Sequence, residues 1–149
     1  MKDRGFTIIE LLVVMVIIGM IFSVIFVSLQ GSRAKGRDAR REQDIKQIQA
    51  ALDLYSVANR QFPDCGANTV VTGSPGDGCL STALISAGAI SGLPTDPLGR
   101  VTGSGTGCGT DAGQFTYCYT SLNGATAYRL DYHLETNSIL GKAPGWQSL

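Results

Sequence analysis

Three groups of residues in this chain are of types that could do chemistry. The first is Glu10, the single formal charge in an otherwise apolar run from Phe6 to Leu29. A carboxylate inside such a segment needs a reason, because ionisable side chains are rare there and cluster at functional positions. The second group is Cys65, Cys79, Cys108 and Cys118, set in a region rich in Gly, Ser and Thr. An even number of cysteines in a loop-rich domain points to two disulfides and an oxidising compartment. No pair has the close spacing of a zinc knuckle. The third group surrounds the single histidine, His133, with Arg129, Asp131 and Glu135 nearby. Alternation places these residues on the polar side of a strand, so His133 reads as an exposed strand residue. Nothing around it resembles a nucleophile elbow, a P-loop or a metal motif. Asp96 and Asp111 lie in loops, without the ligand spacing of a calcium-binding loop. These patterns predict no catalytic residue, no metal site and no cofactor, and hence no enzyme.

The elements that must carry these residues follow from length and patterning. A chain of 149 residues suits one small domain plus an anchor. From Phe6 to Leu29, 17 of 24 residues are Ile, Leu, Val or Phe. At about 1.5 Å per residue a helix over that run reaches roughly 36 Å, enough to cross a bilayer core. Its apolar side chains favour insertion by about 5–10 kcal/mol, against about 3 kcal/mol for one carboxylate. The run is longer than the apolar region of a secretory signal, and the small residue at its boundary, Gly5, precedes it. Formal net charge is zero. Residues 33–46 are basic, with Arg33, Lys35, Arg37, Arg40, Arg41 and Lys46, which is most simply a solvated face. The remainder beyond residue 60 is mildly acidic, so nucleic acid is not an expected partner.

The string Gly5-Phe6-Thr7-Ile8-Ile9-Glu10-Leu11-Leu12-Val13-Val14 resembles the class III signal of type IV pilins and type II secretion pseudopilins. The resemblance implies cleavage after Gly5 by a membrane prepilin peptidase and methylation of the new Phe6 amine. It also implies an assembly role for Glu10. A carboxylate pairing with the Phe6 amine of a neighbouring subunit relieves the burial of both charges and sets axial register. The partners implied are further copies of the same chain in a filament, the peptidase, the inner-membrane assembly machinery, and the membrane before assembly. Six Lys and Arg follow the apolar run against two before it. The positive-inside rule would therefore leave the C-terminal part in the cytoplasm. The cysteines and the resemblance both place it outside.

Residues 30–60 continue as an amphipathic helix. Ile45, Ile48, Leu52 and Tyr55 recur at helical spacing, with Arg41, Gln43, Asp44, Lys46, Gln47 and Asp53 opposite. Gly31 and Gly36 weaken the helix by about 1 kcal/mol each. Pro63 ends it near residue 60. Leu93-Pro94-Thr95-Asp96-Pro97-Leu98-Gly99 is a turn-rich segment that resembles the loop before the sheet in this family. Two strands follow, with Phe115, Tyr117 and Tyr119 on one face of the first and Tyr128, Leu130, Tyr132 and Leu134 on one face of the second. A tight turn at Asn123-Gly124 would pair Tyr119 with Tyr128, Tyr117 with Leu130 and Phe115 with Tyr132. The aromatic face should pack on the Ile45–Tyr55 stripe. Cys118 then lies on the other side, beside Arg129. Three disulfide pairings are possible, and bonds between near neighbours, Cys65–Cys79 and Cys108–Cys118, are the expected ones.

The expected fold is α+β and pilin-like: a long N-terminal helix on a small antiparallel sheet with disulfide-closed loops. Its parts are a leader, 1–5, a membrane and assembly helix, 6–29, the amphipathic half, 30–60, and a globular head, 61–149. The expected function is that of a filament subunit, a type IV pilin or, alternatively, a major pseudopilin of a type II secretion system. The precursor would be held in the cytoplasmic membrane with its head outside, and would then enter a surface pilus or a periplasmic pseudopilus. A membrane-tethered binding domain that never polymerises is the reading from another class. Major pseudopilins carry an acidic calcium site near the C-terminus. That region reads Glu135-Thr136-Asn137-Ser138 here and closes on Gly145-Trp146-Gln147.

Overall fold

The computed structural model describes residues 6–71, 73, 78–99, 108 and 115–149, with residues 26–30 as backbone only. One long helix, α1, runs Ile8–Asn59. No proline interrupts the chain before Pro63, and Gly31 and Gly36 are accommodated within the helix. A Cβ at either glycine would meet nothing within 4 Å, so no close packing requires them. The helix stops at Arg60, whose backbone is left-handed (φ 60°), a conformation usually given to glycine at this position. The Asn59 amide donates to the Tyr55 carbonyl at 3.0 Å, satisfying one of the orphan acceptors of the last turn.

The chain divides into two compact units, the first ending at Ala34 and the second spanning Lys35–Leu149. In the first, the large apolar side chains between Phe6 and Ile25 are all exposed, from 46% to 87%. The second has its own core. A four-stranded antiparallel sheet in the order β1-β2-β3-β4 is built from Thr69–Val70, Cys118–Leu122, Ala127–Leu134 and Gly145–Ser148. A short helix, α2, covers Cys79–Ser86. Ile45, Ile48, Ala51 and Leu52 of α1 pack with Tyr117, Tyr119, Leu130, Tyr132 and Leu134 of the sheet, and α2 contributes Leu80 and Leu84. The expected contact between the aromatic face and the α1 stripe is thus present.

The hairpin register differs from expectation by two residues. Tyr119 pairs with Leu130, Ser121 with Tyr128, and Leu122 with Ala127. Four residues, 123–126, make the turn instead of two, with Asn123, Gly124 and Ala125 all at positive φ. The longer turn seats Ala125 in the interior, where its carbonyl accepts a hydrogen bond from the Phe62 amide at 2.8 Å. Because side chains alternate with period two, a slip of two leaves each residue on its original face. Phe115 lies before β2 and packs against the Arg41 guanidinium and edge-on against His133. Cys118 lies opposite Asp131, not beside Arg129, which faces Thr120.

The buried tyrosines each find a partner, as a phenol removed from water must. Tyr117 donates to Asp44 at 2.8 Å and Tyr119 to the Pro63 carbonyl at 2.8 Å. Tyr132 donates to Glu42 at 2.9 Å and also meets the Lys142 ammonium. Asp44, expected on the solvent side of α1, is therefore buried. The helix end is fastened to the hairpin through Phe62, whose ring sits edge-on to Tyr128 at 4.7 Å.

Candidate assembly site

At its N-terminus α1 is capped by its own sequence. Thr7-Ile8-Ile9-Glu10 has the spacing of a capping box, in which the first and fourth residues satisfy each other's backbone donors. The Glu10 amide donates to Thr7 Oγ1 at 3.3 Å, and the Thr7 amide donates to Glu10 Oε2 at 3.0 Å. The Thr7 hydroxyl donates to the same carboxylate oxygen at 2.7 Å. Glu10 is thereby folded back against the Phe6–Thr7 peptide, one turn from the Phe6 nitrogen. The span that contains Glu10, Ile8–Ile25, has a mean hydropathy of 3.0 and no buried residue. An uninterrupted apolar surface of this size cannot stay in water; lipid or other chains must cover it. A carboxylate at the mouth of such a surface can hold a cation there without exposing it to solvent.

A second charged site lies in the head. The Arg41 guanidinium is fully buried and touches three carboxylates. Its Nε and Nη2 grip Asp96 at 2.6 and 3.0 Å, and its Nη1 reaches Asp38 at 2.8 Å and Glu135 at 2.6 Å. Arg37 holds the other side of Glu135 at 2.7 and 2.5 Å. Asp38 accepts the amides of Glu135 and Thr136 and the Thr136 hydroxyl. The Phe115 ring lies under the guanidinium at 4.7 Å. The cluster joins α1, the Asp96-Pro97 turn and the loop after β3.

Burial alone would lower the Arg41 pKa, but its hydrogen bonds to Asp96 and Glu135 prevail and raise it. Hydrogen bonds from Arg37, then from Arg41, hold Glu135 down at about 2, against a burial effect of opposite sign. A carboxyl group whose folded pKa is depressed stabilises the fold above its unfolded pKa. That stability is lost as pH falls through the folded value. Head stability should therefore decline as pH falls from about 4.5 to about 2. In thermal melts at a series of pH values, Glu135→Gln should flatten that decline, and an unchanged slope would show that other groups cause it.

Cys65 is bonded to Cys79 and Cys108 to Cys118, with Cα separations of 5.5 and 5.7 Å. They close loops of 14 and 10 residues, which in the chain-entropy account stabilises the head by about 3 kcal/mol each. No free cysteine remains.

The prokaryotic N-terminal methylation motif matches residues 1–26, the span that contains Phe6, Thr7 and Glu10. The chain is 35% identical over 101 residues to the type II secretion system core protein G of Escherichia coli, covering 66% of this chain and 69% of that one. Against the protein of the same name from Klebsiella pneumoniae it is 31% identical over 100 residues, or 66% and 71% of the two chains. For Aeromonas hydrophila the figures are 31% over 101 residues, 66% and 70%. The chain belongs to the type II secretion core protein G family. This is a type IV pilin-like family, and the chain has its N-terminal signal together with a pilin-like α+β fold. No solved structure matches the chain significantly. The relatives are named as components of a secretion system, and none by an enzymatic activity.

Within this pilin-like frame, the expected site residues fall in different places. Phe6 and Glu10 lie together at the start of α1; Gly5 lies outside the described residues. His133 is not an exposed strand residue. It is half-buried between Phe115 and Trp146, with ring centroids 5.0 and 5.7 Å away. Burial, then the nearby Arg41 charge, lowers its pKa. Asp131, expected beside it on a polar face, is buried and paired with Arg129 at 2.9 Å. Asp96 serves Arg41, and Asp111 lies outside the described residues. Arg41 was expected on the solvated face of α1 and is instead the centre of the buried cluster. The physical reason is that Asp96 and Glu135 arrive from elsewhere to satisfy it. A sequence signal for this existed: Asp38 and Arg41 continue the three-four spacing of Ile45, Ile48 and Leu52 backwards by two positions.

Proposed function

We propose that this protein is a pseudopilin, the repeating subunit of a periplasmic pseudopilus that serves a type II secretion system. The observation that carries the reading is the similarity to core protein G over two thirds of the chain, with the methylation motif at its head. A prepilin peptidase cuts between Gly5 and Phe6 and methylates the new amine. The Ile8–Ile25 helix holds the subunit in the cytoplasmic membrane with the disulfide-bonded head outside. Assembly moves the helix from lipid into a bundle of its copies. Glu10 then exchanges its own Thr7 for the Phe6 amine of a neighbour, so neither charge enters the bundle alone.

A cell-surface pilus built from the same subunit is the alternative, and the relatives' names weigh toward secretion. An in-frame deletion in the native host separates the two. The expected result is accumulation of exoproteins in the periplasm with surface pili unchanged, restored by the gene in trans. Loss of surface pili with normal secretion would overturn the secretion reading. If both processes continue normally, the protein is a tethered domain and no filament subunit.

A further inference from the structure

The calcium ion that major pseudopilins carry near the C-terminus does not fit the residues present here. The candidate ligands are Asp38, Asp96 and Glu135, and all six of their carboxylate oxygens already accept hydrogen bonds. Asp38 Oδ1 takes Arg41 and the Glu135 amide, and Oδ2 takes the Thr136 amide and hydroxyl. Asp96 Oδ1 takes Arg41 and the Leu98 amide, and Oδ2 takes Arg41 again. Glu135 Oε1 takes Arg37 and Arg41, and Oε2 takes Arg37. A divalent cation would have to displace these donors and sit beside two fixed positive charges. Among the described residues, no group of three or more His, Cys, Asp or Glu is arranged to hold a metal.

We infer that the Arg41 guanidinium is the cation of this site: it ties the loop after β3 and the Asp96-Pro97 turn to α1, and the head folds without calcium. A calcium ion joins chain segments by drawing carboxylate oxygens from each to one centre. Arg41 does the same with carboxylates from three segments, one of them gripped by both prongs of its fork. A guanidinium stays charged at any pH the protein meets, and it cannot be removed by a chelator or by low external calcium. Its burial against Phe115 makes it a fixed part of the fold. The inference rests on the head alone and stands whichever filament the subunit builds.

The test uses the full mature chain in detergent micelles, with unfolding followed through Trp146, the only tryptophan, on β4. For the wild type, the midpoint in EDTA and in 2 mM calcium chloride should agree within about 2 °C. A calcium-induced rise of about 5 °C or more would overturn the inference. Arg41→Gln removes the charge and leaves the three carboxylates facing one another. Its midpoint in EDTA should fall by about 10 °C or more. Millimolar calcium should restore at least half of that loss, because the vacated centre then has the ligands of a hard-cation site. A variant that melts like the wild type, or that folds but ignores calcium, would refute the assignment of Arg41 as the site's cation. If the variant does not fold at all, the wild-type comparison still decides.

Discussion

Glu10→Ala should cut filament yield at least tenfold at matched membrane levels while leaving insertion intact. Insertion should even improve, since a carboxylate in the apolar segment costs about 3 kcal/mol on an insertion scale. The assembled state loses far more. Each Phe6 amine that enters the helix bundle without a partner is an uncompensated buried charge, worth about 3–5 kcal/mol. At about 1.4 kcal/mol per tenfold, that is a factor of more than a hundred in each subunit addition. The capping contact, about 1 kcal/mol, is lost from the unassembled helix alone, because assembly already exchanges Thr7 for the neighbouring amine. Glu10→Gln separates the two effects. An amide keeps the cap but not the charge, so the Gln variant should assemble as poorly as the Ala variant. If Gln restored filaments to wild-type length, the capping role would be the whole role of Glu10.

Asp38→Ala should destabilise the head by about 3–5 kcal/mol without touching the assembly helix. Asp38 is fully buried and accepts from the Arg41 guanidinium, two backbone amides and the Thr136 hydroxyl. Its loss leaves Arg41 with one fewer counter-charge and leaves buried donors unmatched. For a head of this size the melting midpoint should drop by roughly 12 °C or more. A shift under about 3 °C would mean that the cluster reorganises around Asp96 and Glu135, and that Asp38 is dispensable. Asp38→Asn should fall between the two, because the amide oxygen still accepts while the negative charge is gone.

The long helix and its partner sheet are legible in the sequence because both rest on strong periodicities. Ile45, Ile48 and Leu52 mark one stripe, and Tyr117, Tyr119, Leu130, Tyr132 and Leu134 mark the face that covers it. The hairpin survives its two-residue register error for the same reason, since alternation protects the facing of side chains but not their pairing. What sets the pairing is Ala125, drawn into the interior by the Phe62 amide, and that contact depends on where α1 ends. β1 and β4 carry little alternation. Thr69–Val70 and Gly145–Ser148 become strands only because β2 and β3 present edges to them. The buried ion cluster is hard to see in the sequence because charged side chains are ordinarily at the surface. Arg41 and Asp38 sit on the apolar stripe by spacing, and only partners distant in sequence make their burial tolerable. At the other end, the Thr7–Glu10 box is a local motif that the sequence reading passed over in favour of an assembly role for Glu10, and the neighbour's amine, the partner proposed for assembly, belongs to another chain.

The most direct test of the central claim is the intact mass of the subunit taken from isolated filaments. A filament subunit processed as proposed should weigh as residues 6–149 plus one CH2, a methyl group having replaced one amine hydrogen, less the four hydrogens lost to the Cys65–Cys79 and Cys108–Cys118 bonds. Its N-terminal peptide should begin at N-methylated Phe6. Filaments in which the chain is absent, or a chain recovered only as monomer with Met1 still in place, would contradict the account.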